Sequence, residues 1–351
     1  MGKDTAIEWC DDTINPVMGC DGCELSSRGA ADAVEDGQRD GHCYAEQLHK
    51  LRAGRPGYAP DFFAPTMFTG RMAAAARWSD LRGTKREGKP WLDGMPRVIF
   101  INDMGDALSR SIPFEFLRDE VTTNVSSETG RRHLYLWLTK RPRRMAEFSR
   151  WLKAQGIAWP ANLWPGTSVT SQKVAGRVTD LLAVEGAPGR FLSCEPMLGP
   201  VDLGEWIKRY EHCGRCGAFY PVEDAVRAAD GRAEDRCAEC AAEGFMSSTW
   251  GELQRQQHED GDEHEDGPGI SWVIIGGESG SGARPFDLAW ARSLVEQCKA
   301  AAVAVFVKQL GSNPIMEPGP LTWPTTAPKG GDWAEWPDDL RVREMPRVET
   351  P

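Results

Sequence analysis

Nowhere among the 351 residues is there a run of about 18 apolar side chains, the length a membrane-spanning helix needs. The opening residues, Met1-Gly2-Lys3-Asp4-Thr5, also lack the apolar stretch that directs secretion. A transmembrane helix is therefore excluded, and a cytoplasmic location is expected. Cysteine is too scarce for a disulfide scaffold, with 10 in the whole chain, and in a reducing compartment clustered cysteines read as metal ligands. A basic excess is missing too: 41 Lys+Arg face 52 Asp+Glu, a net charge of -11 that argues against a protein that coats nucleic acid. That imbalance is local, because residues 223–266 carry 14 acids and 4 bases. The rest of the chain is close to neutral.

What is present is a series of short apolar runs bounded by turn residues: Val98-Ile101, Leu134-Leu138, Leu163-Val169, Arg190-Cys194, Trp272-Ile275 and Val303-Val307. Each is continuous rather than alternating, as expected of strands buried on both faces. Stretches of helical periodicity lie between them, at Phe114-Val125, Arg143-Ala154, Lys173-Val184 and Leu288-Ala302. Strand and helix alternate, which predicts an α/β fold built on a parallel sheet, either a (β/α) barrel or an open sheet. In both architectures chemistry gathers at the carboxyl ends of the strands. Here those ends carry Asn102, Asp103 and Asp106; Thr139, Lys140 and Arg141; Ser168 and Thr170; Glu195; Gly276, Gly277 and Glu278; and Lys308 and Gln309. Lys140, Arg141, Arg284 and Lys308, with Arg143 and Arg144, place positive charge near the mouth, suited to a phosphate or carboxylate, with Gln309 beside them. Any one of these could be a plain loop or cap residue, but six consecutive ends with such chemistry point to a site.

Three regions follow. Residues 1–210 and 270–314 form the α/β body, and residues 211–269 interrupt it as an acidic insertion. Residues 315–351 form a Pro- and Trp-rich tail expected to lie over the body. Within the insertion, residues 254–269 read as a solvated, disordered linker.

Two cysteine groups stand out. Cys213-Gly-Arg-Cys216 and Cys237-Ala-Glu-Cys240 are paired CxxC knuckles, so residues 213–240 read as a zinc ribbon with a closed four-sulfur, structural Zn2+ site. The second group, Cys20, Cys23 and Cys43, has three thiols and no obvious fourth. It suits a 4Fe-4S cluster with one iron left open, or zinc with His42 as a further ligand. Cys10, Cys194 and Cys298 read as small buried residues.

Several blocks then become recognisable in order along the chain. They are Ile7-Glu8-Trp9, Thr13-Ile-Asn-Pro16 with Gly19-Cys20, Cys43-Tyr-Ala-Glu46, Phe100-Ile-Asn-Asp-Met-Gly-Asp106, Leu138-Thr-Lys-Arg-Pro142, Trp164-Pro-Gly-Thr-Ser-Val169, Arg190-Phe-Leu-Ser-Cys-Glu-Pro-Met-Leu-Gly-Pro200, Trp272-Val-Ile-Ile-Gly-Gly-Glu-Ser-Gly280 and Val307-Lys-Gln309. Together they resemble a phage-associated three-cysteine-motif family, itself similar to a divergent branch of the radical S-adenosylmethionine (SAM) enzymes. The resemblance implies a partial (β/α) barrel of radical SAM type, interrupted by the ribbon, with a first strand near Thr13-Asn15. It implies a 4Fe-4S cluster whose open iron chelates SAM, an electron donor, and reductive cleavage giving a 5'-deoxyadenosyl radical that takes hydrogen from substrate.

Residue by residue, Cys20 and Cys43 match the outer cluster cysteines of that family. Its middle cysteine usually stands three residues before the last; Asp40 occupies that place here, and Cys23 is the substitute. Gly276-Gly277-Glu278 resembles a triplet that contacts the cofactor's amino group, although it comes late in the chain. Asn102, Asp103, Asp106, Ser168 and Glu195 complete the expected cofactor-binding set. The substrate expected is a phosphate-bearing molecule, with a nucleic-acid base as one case, and the ribbon is expected to dock a partner protein or nucleic acid. Two other functions stay open on sequence: a non-catalytic zinc-bound module that binds nucleotides or a partner, and a metal-dependent hydrolase using Asp103, Asp106 and Glu195.

Overall fold

The computed structural model describes residues 3–28, 41–207, 269–316 and 321–348, together with the backbone of four short strands between 210 and 237. In chain order the elements of the first half are β1 (Asp12–Ile14), β2 (Val17–Met18), α1 (Tyr44–Arg52), β3 (Thr66–Met67), α2 (Arg71–Ala76), β4 (Val98–Ile101), α3 (Phe114–Leu117) and α4 (Thr123–Ser126). There follow β5 (Leu134–Thr139), α5 (Pro142–Ala154), β6 (Leu163–Ser168), α6 (Arg177–Leu182) and β7 (Arg190–Cys194). The insertion contributes β8 (Tyr210–His212), β9 (Phe219–Pro221), β10 (Ala225–Arg227) and β11 (Ala233–Cys237), and the chain returns through β12 (Ile270–Gly276), β13 (Phe286–Asp287), α7 (Leu288–Ala300), β14 (Ala304–Gln309), β15 (Pro314–Met316) and β16 (Leu321–Thr322).

Seven strands form one sheet in the order β1-β4-β5-β6-β7-β12-β14, and every neighbouring pair is parallel. A strictly sequential parallel order, joined by the right-handed crossovers that such strands almost always take, keeps the helices on one face, so the sheet curls into a half-barrel. All six predicted strands are present, two with the bounds of their apolar runs and four with ends moved by one or two residues, and the first strand lies at Asp12–Ile14 as expected.

Side chains alternate between two cores. Ile99, Ile101, Tyr135, Trp137, Leu192, Val273, Ile275, Val305 and Val307 point outward and pack with Met145, Phe148 and Leu152 of α5, Val178 and Leu181 of α6, and Leu288, Leu294 and Val295 of α7. Val98, Phe100, Leu134, Leu136, Trp164, Phe191, Trp272, Ile274 and Phe306 point inward, joined by Trp9 and Leu92. The inner group closes the amino-terminal end of the half-barrel. Trp9 sits in its middle, 4.7 Å from the Phe100 ring and 6.3 and 6.2 Å from Phe191 and Trp272.

Two predicted helices are broken. The run Phe114-Val125 is interrupted by a π-helical turn at Arg118–Thr122, where Thr123 Oγ1 hydrogen-bonds the Arg118 carbonyl. The turn brings Glu120 inward, and its carboxylate accepts the Gly70 and Met72 amides at the start of α2. The run Lys173-Val184 is a 3-10 turn at Gln172–Val174 followed by α6, the two separated by Ala175 and Gly176.

In the insertion, β8 pairs with β9 and β10 with β11, both antiparallel. Cys213, Cys216 and Cys240 lie outside the described residues, as do 254–268 and the side chain of Cys237. The tail adds β15 and β16 to β13 in a three-stranded sheet and then runs on through two 3-10 turns.

Candidate active site

At the carboxyl ends of the strands a cavity of about 740 Å³ opens, within the usual range for small-molecule sites. Its wall is built by the residues that continue the inward alternation beyond the aromatic floor: Phe100 and Asn102 from β4, Leu138 and Lys140 from β5, Ser168 from β6, Ser193 and Glu195 from β7, and Lys308 from β14. The period of two accounts for these residues; Asp103, Asp106, Thr139 and Gln309 reach the lining outside that alternation.

Cys20, Cys23 and Cys43 all line this cavity, although they come from two segments. None is in a disulfide. Burial pushes the Cys20 thiol up to about 12, with the Asp106 carboxylate adding to the effect, and the Cys23 thiol up to about 11; burial raises Cys43 as well.

The loop that carries Cys20 is fixed by backbone. Gly19 and Gly105 form a parallel bridge, with Gly19 N donating to Met104 O at 3.1 Å and Asp106 N donating to Gly19 O at 3.1 Å. Gly19 has a φ of +89°, and a Cβ on Gly105 would lie 2.4 Å from the Gly19 oxygen, so both positions require glycine.

Beyond Cys20, Arg141 donates to Gly22 O at 2.8 Å. Glu24 accepts from Arg177 through both oxygens, at 3.0 and 2.7 Å. Burial alone would raise the Glu24 pKa, but the hydrogen bonds and charge of Arg177 outweigh it and bring it down to about 2. This pair ties the cysteine loop to the end of β6.

The carboxylates play different parts. Asp106 accepts from Thr139 Oγ1 at 2.9 Å and from the amides of Leu108 and Lys140 at 2.9 and 3.1 Å, joining the ends of β4 and β5. Asp103 accepts from Asn15 Nδ2 at 2.5 Å, yet burial leaves its pKa above the ordinary carboxylate range. Asn102 has a φ of +72° and donates to Val17 O. Glu195 accepts from Lys308 Nζ at 2.5 Å; burial opposes the lysine's charge, but Glu195 and Glu8 outweigh it and hold its pKa above normal. Gln309 bridges Gly277 O at 2.9 Å and Glu195 at 3.5 Å.

Among the residues expected at the site, Cys20, Cys23, Cys43, Asn102, Asp103, Asp106, Lys140, Ser168, Glu195, Gly277, Glu278, Lys308 and Gln309 all line the cavity. Gly276 stands behind Glu195, where a Cβ would come 3.3 Å from that side chain. Arg284 binds Glu278 through its backbone amide, Nε and Nη2, so that these two expected ligand groups satisfy each other. Arg143 is exposed on α5, and Arg144 bonds Ile112 O against the Phe114 ring; neither reaches the cavity. Among the described residues no group of three or more His, Cys, Asp or Glu is disposed to hold a single metal ion. The hydrolase trio of Asp103, Asp106 and Glu195 is thus not assembled as metal ligands, each being engaged as described above. Cys10, Cys194 and Cys298 are buried, as expected.

Sequence reasoning did not assign Glu24, Arg177, Glu8, Trp9, Tyr44 or Lys329 to the site. Local signals existed for four of them: Glu24 directly follows Cys23, and Glu8, Trp9 and Tyr44 stand in the recognisable blocks Ile7-Glu8-Trp9 and Cys43-Tyr-Ala-Glu46.

A family model for proteins of unknown function, DUF5131, matches residues 4–330 and so spans the half-barrel, the cysteine loop and the cavity wall. The chain belongs to the DUF5131 family. No curated protein and no solved structure matches the chain. As a DUF5131 member it carries the cavity inside the matched region: even Lys329, the last lining residue in sequence, falls within it.

Proposed function

We propose that this protein is a radical SAM-type enzyme that holds a 4Fe-4S cluster on Cys20, Cys23 and Cys43 and acts on a phosphate-bearing substrate, a nucleic-acid base being one case. The observation that carries the reading is the convergence of three unpaired cysteines from two segments on one cavity at the carboxyl end of a parallel half-barrel. The donor set fits. A cube takes each thiolate on a different iron, so the three sulfurs need not crowd around one ion, and the fourth iron is left for a small molecule.

When bound, the cluster supplies the electron that cleaves the sulfonium of SAM and so starts radical chemistry. The chain's own residues do the rest. Asn102 and Asp103, in the cavity lining at the end of β4, would hold an ammonium group of the cofactor, and Asp106 stiffens the strand ends behind them. Lys308 keeps its proton because Glu195 is beside it and offers a donor to a substrate oxygen or phosphate, while Gln309 spends its amide hydrogens on Glu195 and Gly277 O and leaves its own oxygen as an acceptor. Trp9 and Phe100 close the floor and keep water from below out of the reacting space. The ribbon cysteines Cys213, Cys216, Cys237 and Cys240 would hold structural Zn2+, and their module would dock a partner protein or nucleic acid.

The test is anaerobic reconstitution with iron and sulfide, followed by EPR of the reduced protein with and without SAM. The expected result is a cubane signal that changes on adding SAM, with 5'-deoxyadenosine formed. Both effects should disappear in Cys20→Ala, Cys23→Ala and Cys43→Ala. Two zinc ions per chain, no iron uptake and no SAM cleavage would overturn the reading in favour of a zinc-bound binding module.

A further inference from the structure

Lys140 is the first residue past the end of β5, and its neighbours are pinned. Its own amide and the Thr139 hydroxyl both donate to Asp106, while Arg141 N donates to Thr139 Oγ1 at 2.9 Å. The side chain therefore stands in the cavity wall in a defined direction. The other cations at these strand ends have close partners: Lys308 has Glu195 at 2.5 Å, Arg177 has Glu24 at 2.7 Å, Arg284 has Glu278 at 2.7 Å, and Arg141 has Gly22 O at 2.8 Å with Asp21 and Asp106 behind it.

Lys140 differs. Among the described residues its ammonium makes no ion pair, and its single hydrogen bond is a long one of 3.3 Å to Ser168 Oγ. Cys23 and Cys43 line the same cavity as Lys140; burial opposes the lysine's charge, but Cys23 and Glu24, with Cys43 adding, outweigh it and hold its pKa above normal. Glu24 is already taken by Arg177 and Thr170. An ammonium drawn from water without an anion is costly unless negative charge arrives beside it. What remains to supply that charge is the pair of cysteine sulfurs, protonated as free thiols and negative once they bind a cluster as thiolates.

We propose that Lys140 is the counter-ion of the cysteine triad, a positioning residue that offsets the negative charge of the cluster-bound thiolates of Cys23 and Cys43 rather than a group for substrate phosphate. This rests on the cluster reading above. Three thiolates on an iron-sulfur cube leave it net negative, and reduction adds one more negative charge. A fixed cation at the sulfurs favours the reduced form and raises the reduction potential. It also explains why Arg141 and Lys140 differ: the first holds the loop backbone, and the second is left free for the sulfur charge.

The experiment uses full-length Lys140→Met and Lys140→Arg, with Lys140→Gln as a polar alternative should the methionine variant not fold. Iron and sulfide per chain and the midpoint potential are measured by EPR-monitored redox titration, without SAM or substrate. The expected result is a lower potential or a loss of iron in the neutral variants, restored toward wild type in Lys140→Arg. In the metal-free protein, alkylation of Cys23 and Cys43 by anionic iodoacetate, relative to neutral iodoacetamide, should fall severalfold in Lys140→Met and not in Lys140→Arg. Normal iron content with an unchanged potential and an unchanged reagent ratio would overturn the role of Lys140 while leaving the cluster in place. Failure of the wild-type protein to take up iron would instead overturn the cluster reading, and this inference with it.

Discussion

Asn102 shows how much one position can combine. It ends β4 in the left-handed region, a conformation that asparagine tolerates better than residues with bulkier or apolar side chains. Its backbone amide donates to Ile14 O and its side-chain amide to Val17 O, so one residue joins β4 to the segment leading into Cys20. Two substitutions separate these roles. Asn102→Gly and Asn102→Ala both remove the side-chain bond, but only alanine must hold a Cβ at positive φ, a cost of about 1 to 2 kcal/mol. Asn102→Ala should therefore melt below Asn102→Gly in thermal denaturation; equal melting temperatures would show that the backbone conformation imposes no cost. Asn102 was visible in the sequence because it follows a buried apolar run directly. Glu24 and Arg177 were not: 153 positions separate them, and a single ion pair leaves no periodicity in either segment.

At the scale of elements, the legible part was what repeats. The β4, β5, β7 and β12 runs are buried on both faces, and the same alternation that divides their apolar residues between two cores extends past the strand ends and selects Asn102, Lys140, Ser168, Glu195 and Lys308 for the cavity. The π turn in the predicted Phe114-Val125 helix was not legible, because it depends on Thr123 bonding back to Arg118 O and on distant Gly70 and Met72 amides drawing Glu120 inward. The join between sheet and cysteine loop is likewise tertiary. Gly19 and Gly105 were single letters in two motifs until the fold placed their backbones together. Gly105→Ala forces that bridge apart, since its Cβ would meet Gly19 O and N at 2.4 and 2.7 Å. The stability loss should be about 1 to 3 kcal/mol, as for other overpacked sites. On the proposed cluster reading, iron uptake on reconstitution should fall by more than stability explains, because the displaced segment carries Cys20. Iron and melting temperature measured on one preparation check this, and full iron loading in Gly105→Ala would contradict it.

Across the whole molecule, a half-barrel must close its lower end without the missing strands, and here a plug does so. The segment leading into β1 crosses the interior with Trp9 at its centre, and residues 86–96 hold it there. Lys89 Nζ donates to the carbonyls of Thr5, Ile7 and Cys10 at 2.7, 2.7 and 2.6 Å, and Trp91 Nε1 donates to Glu8 O at 2.8 Å. Arg86 pairs with Asp11 and donates to Leu92, Met95 and Pro96 carbonyls. The tail completes the plug: Arg343 lies 4.3 Å from the Trp91 ring and 5.5 Å from Phe306, and it donates to the carbonyls of Val307 and Lys308. Lys89→Met keeps the apolar stem but strands three inward carbonyls. A hydrogen bond to a charged group contributes about 1.5 to 3 kcal/mol, so even partial rehydration should leave this variant destabilised by about 3 kcal/mol or more. Asp93→Asn, whose side chain among the described residues bonds only the Arg86 amide at the surface, should cost much less. Because Trp9 and Glu8 belong both to the plug and to the cavity lining, loosening the floor should also admit water to the site. Urea denaturation of the two variants, read beside quenching of tryptophan fluorescence by acrylamide, tests both effects together. A Lys89→Met protein as stable and as poorly quenched as wild type would mean that packing of the aromatic core alone holds the plug.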